Sequence, residues 1–479
     1  MPPTHRVYLL DPQRLKPETI AVAFAKTSRS PLSFDQIAAE LSDEKSARFH
    51  EKWVVGYGHA SVAEHAVVHI AMENVSRLAI EEVESNRLAS YTEKSSRYQT
   101  WDPQAFYVPS ELEGSRLGGL YRETVTRLFD AYQTCLEATQ AYLARSEAQA
   151  AGSSVGSAQG KSGNLALDAC RFLLPAASLA NVGVTINARG LEHAICKMLS
   201  HPLAEVRTLG KETLAAARPV LPTLLKYAEA SPYLSALSVT LEEEAKRVPD
   251  LQKVPTASAV EDWCRCLHAD ADGELLALVA ALFPHTTLPP DALLAQLRLL
   301  PREELQRLTS ALVNGLGEHE APARALEQCN MTFQLVIDQG AYYELKRHRM
   351  ATLVAGALSP DEGYAVPRLI VASGMEGVYE QAMGAAASAY AEIAGFDPRI
   401  ASYLVPNGFR RSVLLSMNLR EAFHLIRQRS APNAHFSMRR LALRLDEEIR
   451  RIAPLFGPSI LPEPHEGWRE VEAEYFAPA

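Results

Sequence analysis

One polar segment occurs twice in this chain, and each copy lacks residues that the other keeps. Residues 85–98 read SNRLASYTEKSSRY, and residues 347–360 read RHRMATLVAGALSP. The first copy keeps Glu93, Ser95 and Arg97, which suit a sugar phosphate, whereas the second begins with three consecutive basic side chains that suit a larger anion. Because a repeated segment indicates a repeated structural unit, the chain is expected to fold as two related domains.

A second motif, Asn-x-Arg-x-x-x-His, recurs with identical spacing in both halves. Its members are Asn187, Arg189 and His193 in the first half and Asn418, Arg420 and His424 in the second. On a helix these positions spread over adjacent faces, so the Asn and His can point near one another while apolar neighbours pack inward. The spacing predicts a helix end that lines a pocket in each half.

Length and charge limit the function classes. A chain of 479 residues exceeds the size of most single cores. A net charge of −9 provides no broad basic surface for nucleic acid. No apolar run approaches the roughly 20 residues that cross a bilayer, and no signal-peptide core follows Met1, so no membrane partner and a cytoplasmic location are expected. Cys264 and Cys266 lack a second pair to complete a zinc site, and no metal is expected.

The order of these motifs resembles that of the flavin-dependent thymidylate synthases. Their signature is R-H-R-x-x-S-x(4)-S-x-R-Y, and the two copies match different ends of it. Residues 58–65, GHASVAEH, are similar to a G-H-x-S-x-x-E-H segment of that family, and the second half keeps only a remnant around His319 and Glu327. Downstream, Arg171 to Pro175 and Ser402 to Pro406 occupy corresponding places.

The resemblance implies an α/β protein made of two tandem α+β domains, each with a central sheet and long helices. The implied N-terminal domain covers residues 1–232 and the C-terminal domain residues 316–479, with a helical connector at 233–315. Since the family assembles its sites between subunits of a tetramer, a homodimer of this chain would mimic that tetramer. Among individual elements, patterning predicts a strand at 331–337, helices at 115–147, 376–395 and 434–454, and a flexible loop at 152–163.

The resemblance also assigns candidate site residues. The nucleotide phosphate and sugar would be bound by Glu93, Ser95, Ser96, Arg97 and Arg171. Arg429 would contact the pyrimidine and act as the catalytic residue. The FAD cofactor would be bound by Arg347, His348, Arg349, His319, Asn418, Arg420, His424 and Asn433, and in the first half by His59, Arg87, Asn187, Arg189 and His193. Without the resemblance, a basic triplet is most often an exposed helix end, and a Ser/Ser/Arg turn is most often a solvated loop.

The losses in the two copies are complementary. The second half keeps the cofactor residues and Arg429, and the first half keeps the nucleotide loop and Arg171. One composite site is therefore expected, and the opposite pairing is expected to be inactive or to have another role. In the first half, Lys197 or Met198 stands near the place of Arg429.

By resemblance the reaction is reductive methylation of dUMP to dTMP, with FAD as cofactor and methylenetetrahydrofolate and NADPH as co-substrates. A reduced flavin supplies the hydride, so no protein nucleophile is required. Two alternatives remain open: a flavoenzyme acting on another pyrimidine nucleotide, and a regulatory protein that binds nucleotide or flavin without turnover.

Overall fold

A computed structural model describes residues 6–56, 59–150, 159–248, 263–317, 320–462 and 466–478. The described residues form two compact units that interleave along the sequence. Unit 1 comprises those within Met1–Lys94, Ala105–Gly114 and Ala177–Val254. Unit 2 comprises those within Ser95–Gln104, Ser115–Ala176 and Pro255–Ala479. Unit 2 therefore contains segments from both halves of the chain.

Helices dominate both units. In chain order they are α1 (Pro17–Lys26), α2 (Phe34–Ala39), α3 (Asp43–Phe49), α4 (Arg77–Val83), α5 (Arg116–Ala150), α6 (Gln159–Cys170), α7 (Ala188–Leu199), α8 (Ala204–Ala217), α9 (Pro232–Arg247), α10 (Gly273–Leu282), α11 (Pro290–Leu297), α12 (Arg302–Val313), α13 (Gln339–Leu345), α14 (Arg368–Ala372), α15 (Glu376–Ala394), α16 (Pro398–Ala401), α17 (Leu419–Arg429), α18 (Phe436–Ile452) and α19 (Trp468–Tyr475). The strands are β1 (Val67–Ser76), β2 (Ala89–Glu93), β3 (Leu179–Asn187), β4 (Cys264–Ala269), β5 (Asn330–Asp338), β6 (Thr352–Ala355) and β7 (Arg410–Asn418). Within the described ranges, no helix is long and apolar enough to span a membrane.

In the described residues each unit contains one antiparallel sheet, and three strands of the unit 2 sheet, β5-β7-β6, repeat the strand order of unit 1. The sheet of unit 1 runs β1-β3-β2, and that of unit 2 runs β4-β5-β7-β6. Val67 at the start of β1 pairs with Asn187 at the end of β3. In the same way, Asn330 at the start of β5 pairs with Asn418 at the end of β7. Helices together with two small antiparallel sheets agree with the predicted α/β class.

The helices that follow these strands are also capped alike. The side chains of Ser76 and Asp338 accept the backbone N–H of the third residue of α4 and α13, Ala79 and Ala341. Asn187 and Asn418 do the same for α7 and α17. An N-cap acceptor of this kind typically contributes about 1 kcal/mol. The Asn of the repeated motif therefore has a structural task in both copies.

The segment expected to be a helical connector contains a strand. Within residues 263–317, β4 pairs with β5 and so extends the sheet of unit 2. Three helices, α10, α11 and α12, lie between β4 and β5. Three helices, α1, α2 and α3, likewise precede β1, the strand of unit 1 that corresponds to β5. Strand β4 is short, and the polar residues Arg265 and His268 interrupt its apolar pattern, which explains why patterning did not indicate it.

The predicted elements near the core of unit 2 are confirmed. Strand 331–337 corresponds to β5, and helices 115–147, 376–395 and 434–454 correspond to α5, α15 and α18. One apolar face of α18, including Met438, Leu441, Leu445 and Ile449, is fully buried in the core beneath the sheet. The predicted loop at 152–163 is wrong for residues 159–163, which begin α6, while residues 152–158 lie outside the described ranges.

Candidate functional site

The loop after β2 is anchored within unit 2 by Arg97. Its Nε and Nη2 atoms donate to Oδ1 and Oδ2 of Asp168, both at 2.9 Å. Nη2 also donates to the backbone oxygen of Asn433 at 3.2 Å, and Ser95 Oγ accepts the Arg97 backbone N–H. Neighbouring Ser96 is buried. A bidentate pair fixes the guanidinium plane, so Arg97 is held in one orientation.

Arg171 lies directly after α6 and is only 4% exposed. Its Nη2 atom is 3.0 Å from Oε1 of Glu344. Neither Nε nor Nη2 makes a hydrogen bond of good geometry with the described residues. The contact with Glu344 is therefore mainly electrostatic, and the guanidinium retains hydrogen-bonding capacity.

Glu344, in the last turn of α13, is the centre of a buried charge cluster. Arg429 Nη1 lies 3.5 Å from its Oε2 atom. Burial alone would raise the pKa of the Glu344 carboxyl, but the charges of Arg171, Arg97, Arg429 and Arg347 lower it below its usual value. The carboxylate is thus ionised at neutral pH. The cluster joins arginines from both halves of the sequence within unit 2.

Several guanidinium groups gather around one carboxylate in this cluster. The charges of four arginines act on Glu344, while Asp168 pairs with Arg97 and Asp338 interacts with Arg171. Guanidinium groups gathered in this way are suited to binding an anionic ligand.

The basic triplet that follows α13 has one buried member. His348 is 3% exposed, whereas Arg347 is exposed and Arg349 is half-buried. Arg429 Nε donates to His348 Nε2 at 3.0 Å, and His348 Nδ1 lies 3.1 Å from Oε1 of Glu421. Burial lowers the pKa of His348, and the charge of Arg429 lowers it further although Glu421 opposes the shift. His348 is therefore neutral at pH 7.

A cavity of about 1020 Å³ lies beside this triplet in unit 2. Its polar lining includes Asn418, Arg420, His424 and Asn433, all predicted from the sequence. Arg420 already donates to Glu327 and to the backbone oxygen of Pro322, so part of its hydrogen-bonding capacity is used within the protein. Apolar lining residues include Met350, Phe423 and Ile460. His319, a further predicted cofactor residue, lies outside the described residues.

The corresponding residues of the first half lie in unit 1. Arg189 forms an ion pair of 2.5 Å with Glu64, as Arg420 does with Glu327 in unit 2. The predicted cofactor residues His193, His59 and Arg87 are exposed, and Asn187 is the helix cap described above.

Unit 1 also contains a weaker version of the charge cluster. Lys197 Nζ lies 3.1 Å from Oε1 of Glu82, and it hydrogen-bonds to Ser85. Glu82 occupies in α4 the place that Glu344 occupies in α13, and Ser85 stands where the second half has Arg347. Met198 stands at the position of Arg429, eleven residues after the motif Asn, but Lys197 is the residue that pairs with Glu82 as Arg429 does with Glu344.

Glu93, a predicted nucleotide-binding residue, forms a buried ion pair. Its side chain is 1% exposed, and Oε1 lies 3.1 Å from Arg77 Nε at the start of α4. Its place in unit 1 ties β2 to α4, so any ligand contact would come in addition to this structural task.

Three acidic residues of the cluster were not selected from the sequence. These are Asp168, Glu344 and Glu421. Asp168 and Glu344 each stand three residues before an arginine of the cluster, Arg171 and Arg347. An acidic residue one helical turn before a candidate arginine could have indicated Asp168 and Glu344 as members of the site.

These features define an α/β protein with several guanidinium groups gathered around one buried carboxylate, and sequence comparison identifies its family. The chain belongs to the family described as thymidylate synthase complementing protein, whose model matches residues 10–223 and 276–455. A UPF0159 protein of Chlamydia pneumoniae is 29% identical over 433 residues, which are 87% of this chain and 81% of that protein. A UPF0159 protein of Thermoplasma acidophilum is 25% identical over 448 residues, covering 87% of this chain and 88% of the relative. The flavin-dependent thymidylate synthase of Clostridium tetani is 28% identical over 219 residues, covering 44% of this chain but 82% of the relative.

Proposed function

We propose that this protein is an FAD-dependent enzyme of the thymidylate synthase type that converts dUMP to dTMP. Methylenetetrahydrofolate would donate the carbon, and NADPH would reduce the flavin. The observation that carries the proposal is the convergence of Arg97 and Arg171 with Arg347 and Arg429 on Glu344. These are the residues that the resemblance assigns to the two complementary parts of one site.

The residues around the cavity fit a flavin nucleotide. A volume of about 1020 Å³ is at the upper end for small-molecule sites, as a dinucleotide requires. Its apolar wall would cover the ring system, and its amide, imidazole and guanidinium groups would bind the polar parts. FAD would be held by Asn418, His424 and Asn433 of the cavity wall and by Arg347 and Arg349 of the neighbouring triplet, while the buried His348 would act through Arg429.

The side chains would act by binding and electrostatics. Arg97 and Arg171 would hold the nucleotide phosphate, because planar guanidinium groups match phosphate oxygens. Arg429 would stabilise negative charge that develops on the pyrimidine. The bound flavin would supply the hydride, so a protein nucleophile is not needed. In keeping with this, burial raises the pKa of the Cys170 thiol to about 12.

One active site per chain follows from the complementary losses. Where the first half has Ser95, Arg97 and Arg171, the second has Ala357, Ser359 and Ser402. We infer a tandem arrangement, with domains at 1–232 and 316–479, and a homodimer in place of the family's tetramer. The match of the family model to two separate segments and the shared strand order support this arrangement.

The test is tritium release from dUMP labelled at C5 of the pyrimidine, with FAD, methylenetetrahydrofolate and NADPH present. We expect a yellow protein that releases tritium only when all components are present. Flavin binding without tritium release would favour another pyrimidine substrate, and nucleotide binding without flavin would favour a regulatory protein. Growth of a thymidine-requiring host that expresses this chain would test the same activity in cells.

A further inference from the structure

Glu421 contacts the candidate site and occupies an unspecified position of the Asn418–His424 motif. It lies in the first turn of α17, where Asn418 Oδ1 accepts its backbone N–H at 2.9 Å. Its side chain is 6% exposed and its Oε1 atom lies 3.1 Å from His348 Nδ1. The helix cap therefore fixes the backbone from which this side chain extends, and the contact with His348 holds the carboxylate.

The hydrogen bonds around His348 define its tautomer. Arg429 can only donate, because a guanidinium group has no acceptor. Its Nε–H group lies 3.0 Å from His348 Nε2, so Nε2 must carry the lone pair. The ring proton is then on Nδ1, where Glu421 accepts it. Among the described residues, Glu421 is the acceptor that holds this proton on Nδ1.

The same bonds orient Arg429. His348 holds the Nε side of the guanidinium, while Nη1 faces Glu344 at 3.5 Å. We propose that Glu421 is a positioning residue that fixes the tautomer of His348 and thereby orients the Arg429 guanidinium. The consequence for nucleotide binding rests on the function proposed above.

Unit 1 provides an internal comparison. Gly190, Asn86 and Met198 stand where unit 2 has Glu421, His348 and Arg429. There, Asn86 Nδ2 donates to the backbone oxygen of Val83 at 3.2 Å, and Lys197 pairs directly with Glu82. All three members of the chain of hydrogen bonds are replaced together, as expected if each depends on the others.

The test compares Glu421→Leu with Glu421→Gln in the full-length protein. The glutamine oxygen can still accept from Nδ1, whereas leucine cannot. Nitrogen NMR of labelled histidine side chains would report the tautomer of His348, with its signal assigned by His348→Gln. We expect the Nδ1–H tautomer and a slowly exchanging Arg429 Nε–H in the unmodified protein and in Glu421→Gln, and loss of both in Glu421→Leu. Calorimetry with dUMP should show affinity reduced by roughly tenfold to a hundredfold in Glu421→Leu only.

Two results would overturn the proposal. One is an unmodified protein in which His348 is charged or protonated at Nε2 near pH 7.5, which requires no variant to fold. The other is equal exchange protection of Arg429 in both variants. If the unmodified protein binds no dUMP but shows the expected tautomer and its loss in Glu421→Leu, the positioning role stands and the proposed substrate is wrong.

Discussion

Replacing Glu344 by glutamine should destabilise the protein far more than the matching change in unit 1. The carboxylate is 3.0 Å from Arg171 and 3.5 Å from Arg429. At an effective dielectric constant of about 20, each contact is worth roughly 5 kcal/mol before desolvation. The hydration that the Glu344 carboxylate gives up on folding offsets much of this attraction. Removing one partner of a buried ion pair nevertheless lowers the free energy of unfolding by about 3–5 kcal/mol.

The control is Glu82→Gln, which removes the carboxylate of the equivalent pair in α4. That pair is about a quarter exposed on both sides, at 25% and 24%, and Glu82 faces one lysine. We expect a loss of about 0–1 kcal/mol. Urea unfolding followed by tryptophan fluorescence, with both variants at the same pH and ionic strength, would measure the difference.

A result in which both variants lose the same free energy of unfolding would refute the reasoning, since it would mean that Glu344 does not balance the buried arginines. Inorganic phosphate provides a second measurement. Because the substitution removes the negative charge closest to Arg171 and Arg429, added phosphate should stabilise Glu344→Gln more than the unmodified protein. No such difference is expected for Glu82→Gln.

Three further outcomes are expected. Arg347→Ala should lower the affinity for FAD by at least about tenfold, whereas the exposed Arg87 of the first copy should matter much less; equal loss of flavin absorbance would contradict the composite site. Titration with FAD should saturate at one flavin per chain. Saturation at two would show that the opposite pairing of the two copies also binds a flavin. The free energy of unfolding should fall as pH drops below about 6.5. Burial lowers the pKa of His435 well below its usual value, so in this range the unfolded chain binds a proton that the folded chain does not. His435→Asn should flatten this decline in urea midpoints measured between pH 7.5 and 5.5, and an unchanged slope would exclude His435 as its source.

Much of the fold could be predicted from periodicity and turn residues alone. The apolar run of β5 and the amphipathic pattern of α18 are strong local signals, and the structure has both elements where the sequence places them. The short strand β4 carries a weak signal, because its place in the sheet depends on pairing with β5. Local sequence patterns indicate which face of a helix or strand is apolar. They do not indicate which element pairs with it or packs against that face.

For the candidate site, the sequence indicated the basic residues better than their acidic partners. Motif spacing selected Arg97, Arg171 and Arg429, yet Glu344 became visible only in three dimensions. Its sequence neighbourhood, YYELKRHR, reads as an ordinary helix with a basic end. The choice of Lys197 over Met198 likewise depended on which side chain points at Glu82. Charge balance in a buried cluster is a property of tertiary contacts, and motifs record only part of it.

The interleaved make-up of unit 2 has an evolutionary consequence. The long helix α5 comes from the first half of the chain, yet it packs on α15 of the second, with Tyr121, Phe129 and Tyr132 fully buried. A gene cut at the midpoint would therefore yield two polypeptides that each expose a broken core. Fusion of this kind cannot easily be reversed. It also guarantees one-to-one stoichiometry between the two copies, which lets each discard residues that the other still provides.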